Sequence, residues 1–363
     1  MAKFTEIFED VTKQGTKIPT NLYLENGLYP IIDQGQSEIA GYTNQTEGVF
    51  TDIPAIIFGD HTRIIKYVDA PCFLGADGVK LLKAKDPTAN YKYLYYALCN
   101  ADIPNTGYNR HFKWLEEIEI PEYSTEEQNS VVSQLETIDV LISLRKQQLS
   151  KLDELVKSRF VELFGDSIDN PKAFPVRKLK TLSRKISDGV HAKPQYTETG
   201  RPFLSVVNIN KGVINFDGCK FVSEEAYQKM IKSTHPERGD VLYTKVGATY
   251  GIPAYVDTDT EFCLYVSVCL IKPLHEEINS RFLSLSMGMP YVKRQADSRI
   301  KGIGVPDLHL NQISEFDILC PPRDLQEQFI AFVEQVDKSK SEIQKSLEKL
   351  ETLKKALMQK YFG

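Results

Sequence analysis

Two stretches of this chain space their apolar residues alternately three and four apart. In 123–165 the positions are Val131, Leu135, Ile138, Ile142, Leu149, Leu152, Val156 and Leu163, broken only by Arg145 and Arg159. In 321–363 they are Phe329, Val333, Val336, Ile343, Leu347, Leu350, Leu357 and Tyr361, broken by Lys340 and Lys354. Such spacing is a heptad seam, so each stretch predicts a long helix that buries its seam against another helix. Ser124 and Thr125 ahead of "EEQ" mark the first start and Gly165 its stop, while Pro321 and Pro322 exclude helix just before the second. About 38 residues at 1.5 Å each give rods of roughly 55 Å.

The two stretches are copies. A constant displacement, from Gln128 to Gln326, also carries Asp139 onto Asp337, Leu152 onto Leu350, Leu155 onto Leu353, Phe164 onto Phe362 and Gly165 onto Gly363, without a gap. Val131, Leu135, Ile138, Leu149 and Leu152 in the first, with Val333, Val336, Leu347 and Leu350 in the second, are assigned to helix pairing. Leu155 and Leu353 form a second apolar edge beside Val156 and Lys354, suited to a further partner. The four basic seam residues are open between register devices, rim positions and partner contacts.

Elsewhere the pattern changes. Residues 1–122 and 176–320 carry short β-branched or aromatic runs, such as "PAIIFG", "RIIKYV", "PFLSVVNI" and "DVLYTKV", broken by Gly, Pro, Asn and Asp. These predict two strand-rich mixed domains. They resemble each other faintly, "NGLYPII" with "TGRPFLS" and "TDIPAIIFGDHTR" with "ERGDVLYTKVG". The predicted plan is a first domain over 1–122, a helix over 123–165, a linker over 166–175, a second domain over 176–320 and a helix over 321–363. The fold class is α+β, two mixed α/β domains alternating with two helices paired as an antiparallel coiled coil.

Composition sets limits. The 363 residues suit two or three domains, and 42% hydrophobic with 26% charged residues marks a globular chain. The longest apolar run, "FCLYVSVCLI" at 262–271, suits a buried strand and falls far short of the roughly 20 residues of a membrane span. "MAKFTEIFED" has no apolar core of a signal peptide, so the expected location is cytoplasmic, with no membrane partner. The six cysteines form no CxxC pair and read as reduced, mostly buried thiols.

The helices "STEEQNSVVSQLETIDVLISLRKQQLSKLDELVKSRFVELFG" and "RDLQEQFIAFVEQVDKSKSEIQKSLEKLETLKKALMQKYFG", alternating with two diverged strand-rich domains, resemble the specificity (S) subunits of type I restriction-modification systems. The phrases "AIIFGDHTR", "ADGVKLL", "GYNRHFKWL", "SDGVHAKPQYTETGRPFLSVVNI" and "TKVGATYGIPAYV" are similar to that family's target recognition domains, and the resemblance covers nearly the whole chain. It implies a non-catalytic subunit whose two domains each read half of an asymmetric bipartite site in double-stranded DNA. It also implies two methyltransferase (M) subunits docked on the helices, with restriction (R) subunits joining the full complex. S-adenosylmethionine, ATP and Mg would sit on those partners, which would supply adenine-N6 methylation, by flipping out the adenine, and ATP-dependent cleavage. No cofactor is expected on this chain.

The residues themselves agree that the chain carries no chemistry. It has no Gly-Lys pair for a P-loop, no Asn/Asp-Pro-Pro-aromatic tetrapeptide, and no histidine pair four apart for a metal. DNA binding has to overcome a formal net charge of −5. Lys plus Arg against Asp plus Glu is 11 and 17 over 1–122, 5 and 9 over 123–170, 20 and 16 over 171–320, and 8 and 7 beyond. Phosphate contacts therefore have to come from local patches and partner subunits.

Such patches exist, and in the first domain they lie beside turn glycines. They are His61, Thr62, Arg63 and Lys66 after Gly59, and Asn109, Arg110, His111 and Lys113 after Gly107. In the second they are His191, Lys193, Gln195, Tyr196, Asn208, Lys211, Lys245, Arg294, Arg299 and Lys301. Arginine can favour guanine and Asn or Gln adenine through paired hydrogen bonds. Bland readings stand beside these: Asp60 could pair with Arg63 across a turn, "NRH" could be a solvated surface, and Trp114 suits the core better than a base-stacking platform. Two other functions fit in part. One is the specificity subunit of a related system whose partner fuses methylase and nuclease; the other is a coiled-coil scaffold that binds no DNA. If the helices run antiparallel with one domain near each end, their length sets the spacing of the half-sites, about one DNA turn.

Overall fold

The computed structural model describes residues 1–75, 77–165, 170–300 and 304–363. The chain divides into two compact units, Met1–Gln148 with Ile343–Gly363, and Leu149–Glu342. Each unit is one globule joined to a portion of both long helices.

The first globule holds β1 (Ala2–Lys3), β2 (Phe8–Asp10), β3 (Tyr29–Ile32), β4 (Gly41–Thr43), β5 (Ala55–Gly59), β6 (Ile65–Val68), β7 (Phe73–Leu74), β8 (Val79–Ala84) and β9 (Glu119–Ile120). Its helices are α1 (Phe4–Ile7), α2 (Tyr91–Cys99) and α3 (Phe112–Leu115). The sheets run β2-β8-β5-β6, β4-β3-β7 and β1-β9. Every residue of β5 is buried, which explains its unbroken apolar run. Ile56 and Phe58 face the cluster of Tyr93, Leu94 and Leu98 on α2, while Ala55 and Ile57 face a second cluster with Val68, Val79 and Leu81.

The second globule holds β10 (Val176–Lys178), β11 (Ser183–Asp188), β12 (Arg201–Leu204), β13 (Lys220–Val222), β14 (Val241–Thr244), β15 (Pro253–Tyr255), β16 (Cys263–Leu264), β17 (Val268–Pro273) and β18 (Asp317–Leu319). Beyond the first long helix, α4 (Thr125–Phe164), its helices are α5 (Glu224–Met230), α6 (Ser280–Met287), α7 (Pro290–Asp297) and α8 (Leu310–Ser314). The sheets run β11-β17-β14-β15, β13-β12-β16 and β10-β18. That order repeats the first globule strand for strand: β3 takes the place of β12 and β5 that of β14, as the short phrase similarities imply. The run at 262–271 is not one strand. It forms β16 and β17 in different sheets, because the chain turns at Tyr265–Ser267, where Tyr265 N–H donates to Leu204 O and Ser267 Oγ accepts from Val206 N–H.

The long helices are α4 (Thr125–Phe164) and α9 (Arg323–Phe362), 40 residues each. Ser124 and Glu127 form a reciprocal cap, with Ser124 N–H donating to Glu127 Oε2 at 3.0 Å and Glu127 N–H to Ser124 Oγ at 3.3 Å. The repeated glutamines act alike, since Gln128 Nε2 donates to Tyr123 O at 3.0 Å and Gln326 Nε2 to Pro321 O at 2.8 Å, each closing its helix entry. Gly165 takes φ +82° after Phe164, a left-handed stop that favours glycine.

Within each unit the helices run antiparallel. In the first, Val131 and Leu135 near the start of α4 share a core with Met358 near the end of α9. In the second, Phe329 and Val333 near the start of α9 share a core with Phe160 and Phe164 at the end of α4. The seam residues are all buried or half-buried, whereas Leu155 and Leu353 are 46% and 49% exposed. Lys354 and Lys340 pair across the seam with Asp139 and Asp153, both at 2.5 Å. Arg159 pairs with Glu162 on its own helix and covers Phe332 of α9, while Arg145 donates to Gln148 Oε1.

Candidate nucleic-acid interface

At one edge of the first globule three loops are tied together by Gln34. Its Nε2 donates to Asp77 O at 3.1 Å, its Oε1 accepts from His61 N–H at 3.2 Å, and its carbonyl accepts from Thr62 Oγ1 at 2.6 Å. Gly59 and Gly78 both lie against Gln34, where an added Cβ would fall within 2.8 Å of it. The β5–β6 turn is thereby fixed. Arg63 sits at φ +62° and sends its guanidinium inward to Ile103 O at 3.0 Å. It does not pair with Asp60.

Asp60 instead anchors the loop ahead of α3. Its buried carboxylate accepts from the N–H groups of His111 and Phe112 at 2.7 and 2.8 Å, capping that short helix. Above this anchor the side chains point outward. Tyr108, 85% exposed, stacks on His61 with ring centroids 4.6 Å apart and 8° between planes. The Arg110 side chain is 84% exposed, its Nε 4.0 Å from Asp60 Oδ2. Asn109 folds its amide back onto Thr106 O, and Lys113, also exposed, lies over the Trp114 ring. Trp114 itself packs against the core.

In the second globule the corresponding turn joins β14 and β15. Gly247 and Gly251 hold φ near +92° and +90°, which a side chain would strain. Lys245 is buried between Asp188 at 3.5 Å and Asp307 at 3.4 Å. Nearby, His191 is exposed with Nε2 3.4 Å from Asp188. Tyr196 is half-buried against Phe203, with the ammonium of Lys220 4.3 Å from its ring and that of Lys193 6.0 Å away. Gln195, Lys211 and Arg294 are exposed.

Besides Arg63, five of the sequence candidates therefore turn inward. Lys66 is buried, donating to Ser37 O at 2.6 Å and pairing with Asp33. His111 is fully buried on Asp60 O and Thr106. Asn208 is buried, accepting from Ser205 N–H and donating to Asn215 O. Lys245 is the fourth. Arg299, half-buried, donates to Gln295 O and Glu315 O and covers Phe316. Their polar atoms are satisfied inside the fold, so they position loops instead of offering donors. Lys301 lies outside the described residues. Gln34, Tyr108 and Lys220 are not among the sequence candidates, and only Tyr108, next to Gly107, carries a signal in the sequence.

Among the described residues no group of three or more His, Cys, Asp or Glu could hold a metal, and no helix is long and apolar enough to cross a membrane. Cys72, Cys263 and Cys269 are buried, Cys219 and Cys320 half-buried, and Cys99 exposed. Burial pushes the Cys72 thiol up to about 11 and Cys263 up to about 12.

Compared with known proteins, the chain matches the family described as type I restriction modification DNA specificity domain over residues 1–154 and 175–355. It is 24% identical over 264 residues to the type I restriction enzyme MjaIX specificity subunit of Methanocaldococcus jannaschii, covering 68% of this chain and 60% of that protein. It is likewise 24% identical over 319 residues to the MjaVIII specificity subunit of the same organism, covering 79% and 74%. The matched stretch thus spans less than two thirds of the MjaIX protein. Its fold is similar to that of the S subunit of a type I restriction-modification system from M. genitalium, with TM-score 0.59 and 18% identity over 99% of this chain and 95% of the other.

Proposed function

This chain belongs to the type I restriction-modification DNA specificity domain family, and on that premise we propose that it is the subunit that reads DNA sequence for a restriction-modification complex. The observation that carries the reading is the duplicated globule: the strand order is the same twice, while the loops at equivalent edges carry different side chains. A shared frame with divergent edge loops is what two different half-sites require. Each globule then reads one half of an asymmetric, two-part site in double-stranded DNA.

The first unit would present Tyr108, His61, Asn109, Arg110 and Lys113, and the second His191, Lys193, Gln195, Tyr196, Lys211 and Arg294. Arg63 and Arg299 support the loops from within. With a net charge of −5, sequence-independent attraction is weak, so partner subunits add phosphate contacts.

The helices offer those partners a surface. Val140, Leu144, Leu155 and Leu353 are 58%, 48%, 46% and 49% exposed, and Val132, Glu136, Val140 and Leu141 line a shallow groove on α4. Two methyltransferase subunits dock on such faces, and restriction subunits join through the assembly. Methylation, cleavage and the S-adenosylmethionine, ATP and Mg they need belong to those partners. This chain contributes recognition, and its place of work is the cytoplasm.

Co-purification with its methyltransferase, followed by titration against specific and scrambled duplexes, tests this. Preference for one duplex that needs this chain supports the reading, and equal binding to all duplexes contradicts it.

A further inference from the structure

The backbone ladders of the two globules can be laid on each other residue by residue at the recognition edge. In the first, Gly59 pairs with Val79, Asp60 N–H donates to Gly78 O at 2.7 Å, and Asp60 O accepts from His111 N–H at 2.8 Å. In the second, Thr244 pairs with Val268, Lys245 N–H donates to Ser267 O at 3.0 Å, and Lys245 O accepts from Leu308 N–H at 2.9 Å. Asp60 therefore occupies the place of Lys245, and His111 that of Leu308, both fully buried. One residue earlier, Arg110 occupies the place of Asp307.

Both places hold an ion pair, and its polarity is reversed. Asp60 faces Arg110 at 4.0 Å; Lys245 faces Asp307 at 3.4 Å. In each case the strand-end member is buried and the loop member is open to solvent, with side-chain exposures of 7% and 84% in the first pair and 6% and 44% in the second. The buried charge attracts its partner, and the exposed partner is what a ligand meets. That is a guanidinium in one globule and a carboxylate in the other.

Resting on the DNA-reading function proposed above, we propose that Arg110 and Asp307 are equivalent base-reading positions with opposite preferences. A guanidinium donates to the O6 and N7 of guanine, whereas a carboxylate accepts from the N4 amino group of cytosine. The carboxylate also repels phosphates, so it contributes nothing to sequence-independent binding and acts as a filter: unless an amino group answers it, its charge opposes the complex. Each unit thus reads one G·C pair, from opposite sides of the pair.

The test selects binding sequences from a randomised duplex library with the chain co-purified with its methyltransferase, for wild type and three variants. Arg110→Gln is expected to lower discrimination at one guanine of one half-site by about tenfold to a hundredfold. Asp307→Asn is expected to relax one cytosine of the other half-site. The double variant Asp60→Lys with Arg110→Asp gives the first globule the pair of the second, and should turn that guanine into cytosine while the other half stays unchanged. A folded Arg110→Gln or double variant that selects the wild-type sequence would overturn the proposal and leave the pair a purely structural clamp. Wild type selecting no sequence at all would overturn the DNA-reading function itself.

Discussion

Lys354 of α9 sets its ammonium 2.5 Å from Asp139 Oδ1 of α4, and Tyr96 of α2 donates its hydroxyl to the other oxygen of that carboxylate at 2.9 Å. A second lysine repeats the contact: stepping from Asp139 to Asp153 along α4 steps from Lys354 back to Lys340 along α9, two heptads each way. Polar seam residues of this kind fix register at some cost in apolar burial. A slip of one heptad in either direction would set one of these lysines opposite Lys146.

Lys354→Glu is expected to lower stability, and Asp139→Lys on top of it to restore much of the loss. Both partners are about one third exposed, so the coupling is screened to about 0.5–1 kcal/mol. A double-mutant cycle in urea, repeated at high salt, measures it. Absence of coupling at low salt would remove the register role.

The two Phe-Gly endings are not equally buried. Phe164 is fully buried among Phe174, Phe282 and Phe329, whereas Phe362 is half-buried against Tyr93. Phe164→Ala should cost about 3–5 kcal/mol, as for other large core truncations, and Phe362→Ala clearly less. Thermal denaturation of the two variants checks the order.

Much of this was legible in the sequence. The helices and their seams follow from a period that no strand can satisfy. The duplicated topology was less visible, because several strands are only two or three residues long and too short for a pattern. Among the site residues, Lys66 could have been placed: it sits two positions before Val68 in β6, and both are buried on the same face of the strand. His111, Asn208 and Lys245 could not. Their inward bonds are made with residues far away in sequence or through loop geometry, and residue type beside a glycine does not tell which way a side chain turns.

Gln34→Ala should free the loops that Gln34 joins without exposing the core. The expected result is at least a severalfold weaker grip on one half-site, with little change in melting temperature. Footprinting and calorimetry on the same protein separate the two effects.

Inserting one heptad after Leu149 and one after Leu347 leaves both seam ion pairs in register. Each helix lengthens by roughly 10 Å at 1.5 Å per residue. If the helices set the spacing, the gap between half-sites grows by up to about 3 base pairs at 3.4 Å each, less if the helices tilt against the DNA. Unchanged half-sites with a longer gap are expected. An active variant with the original gap would take the spacing role away from the helices.

The central claim is that one chain reads two different half-sites, one with each globule. The most direct measurement is the binding sequence selected from random duplex DNA by the wild-type chain together with its methyltransferase. Two short, unlike blocks of defined bases separated by a fixed undefined gap are expected. A single continuous block, two identical blocks, or no defined bases would contradict it.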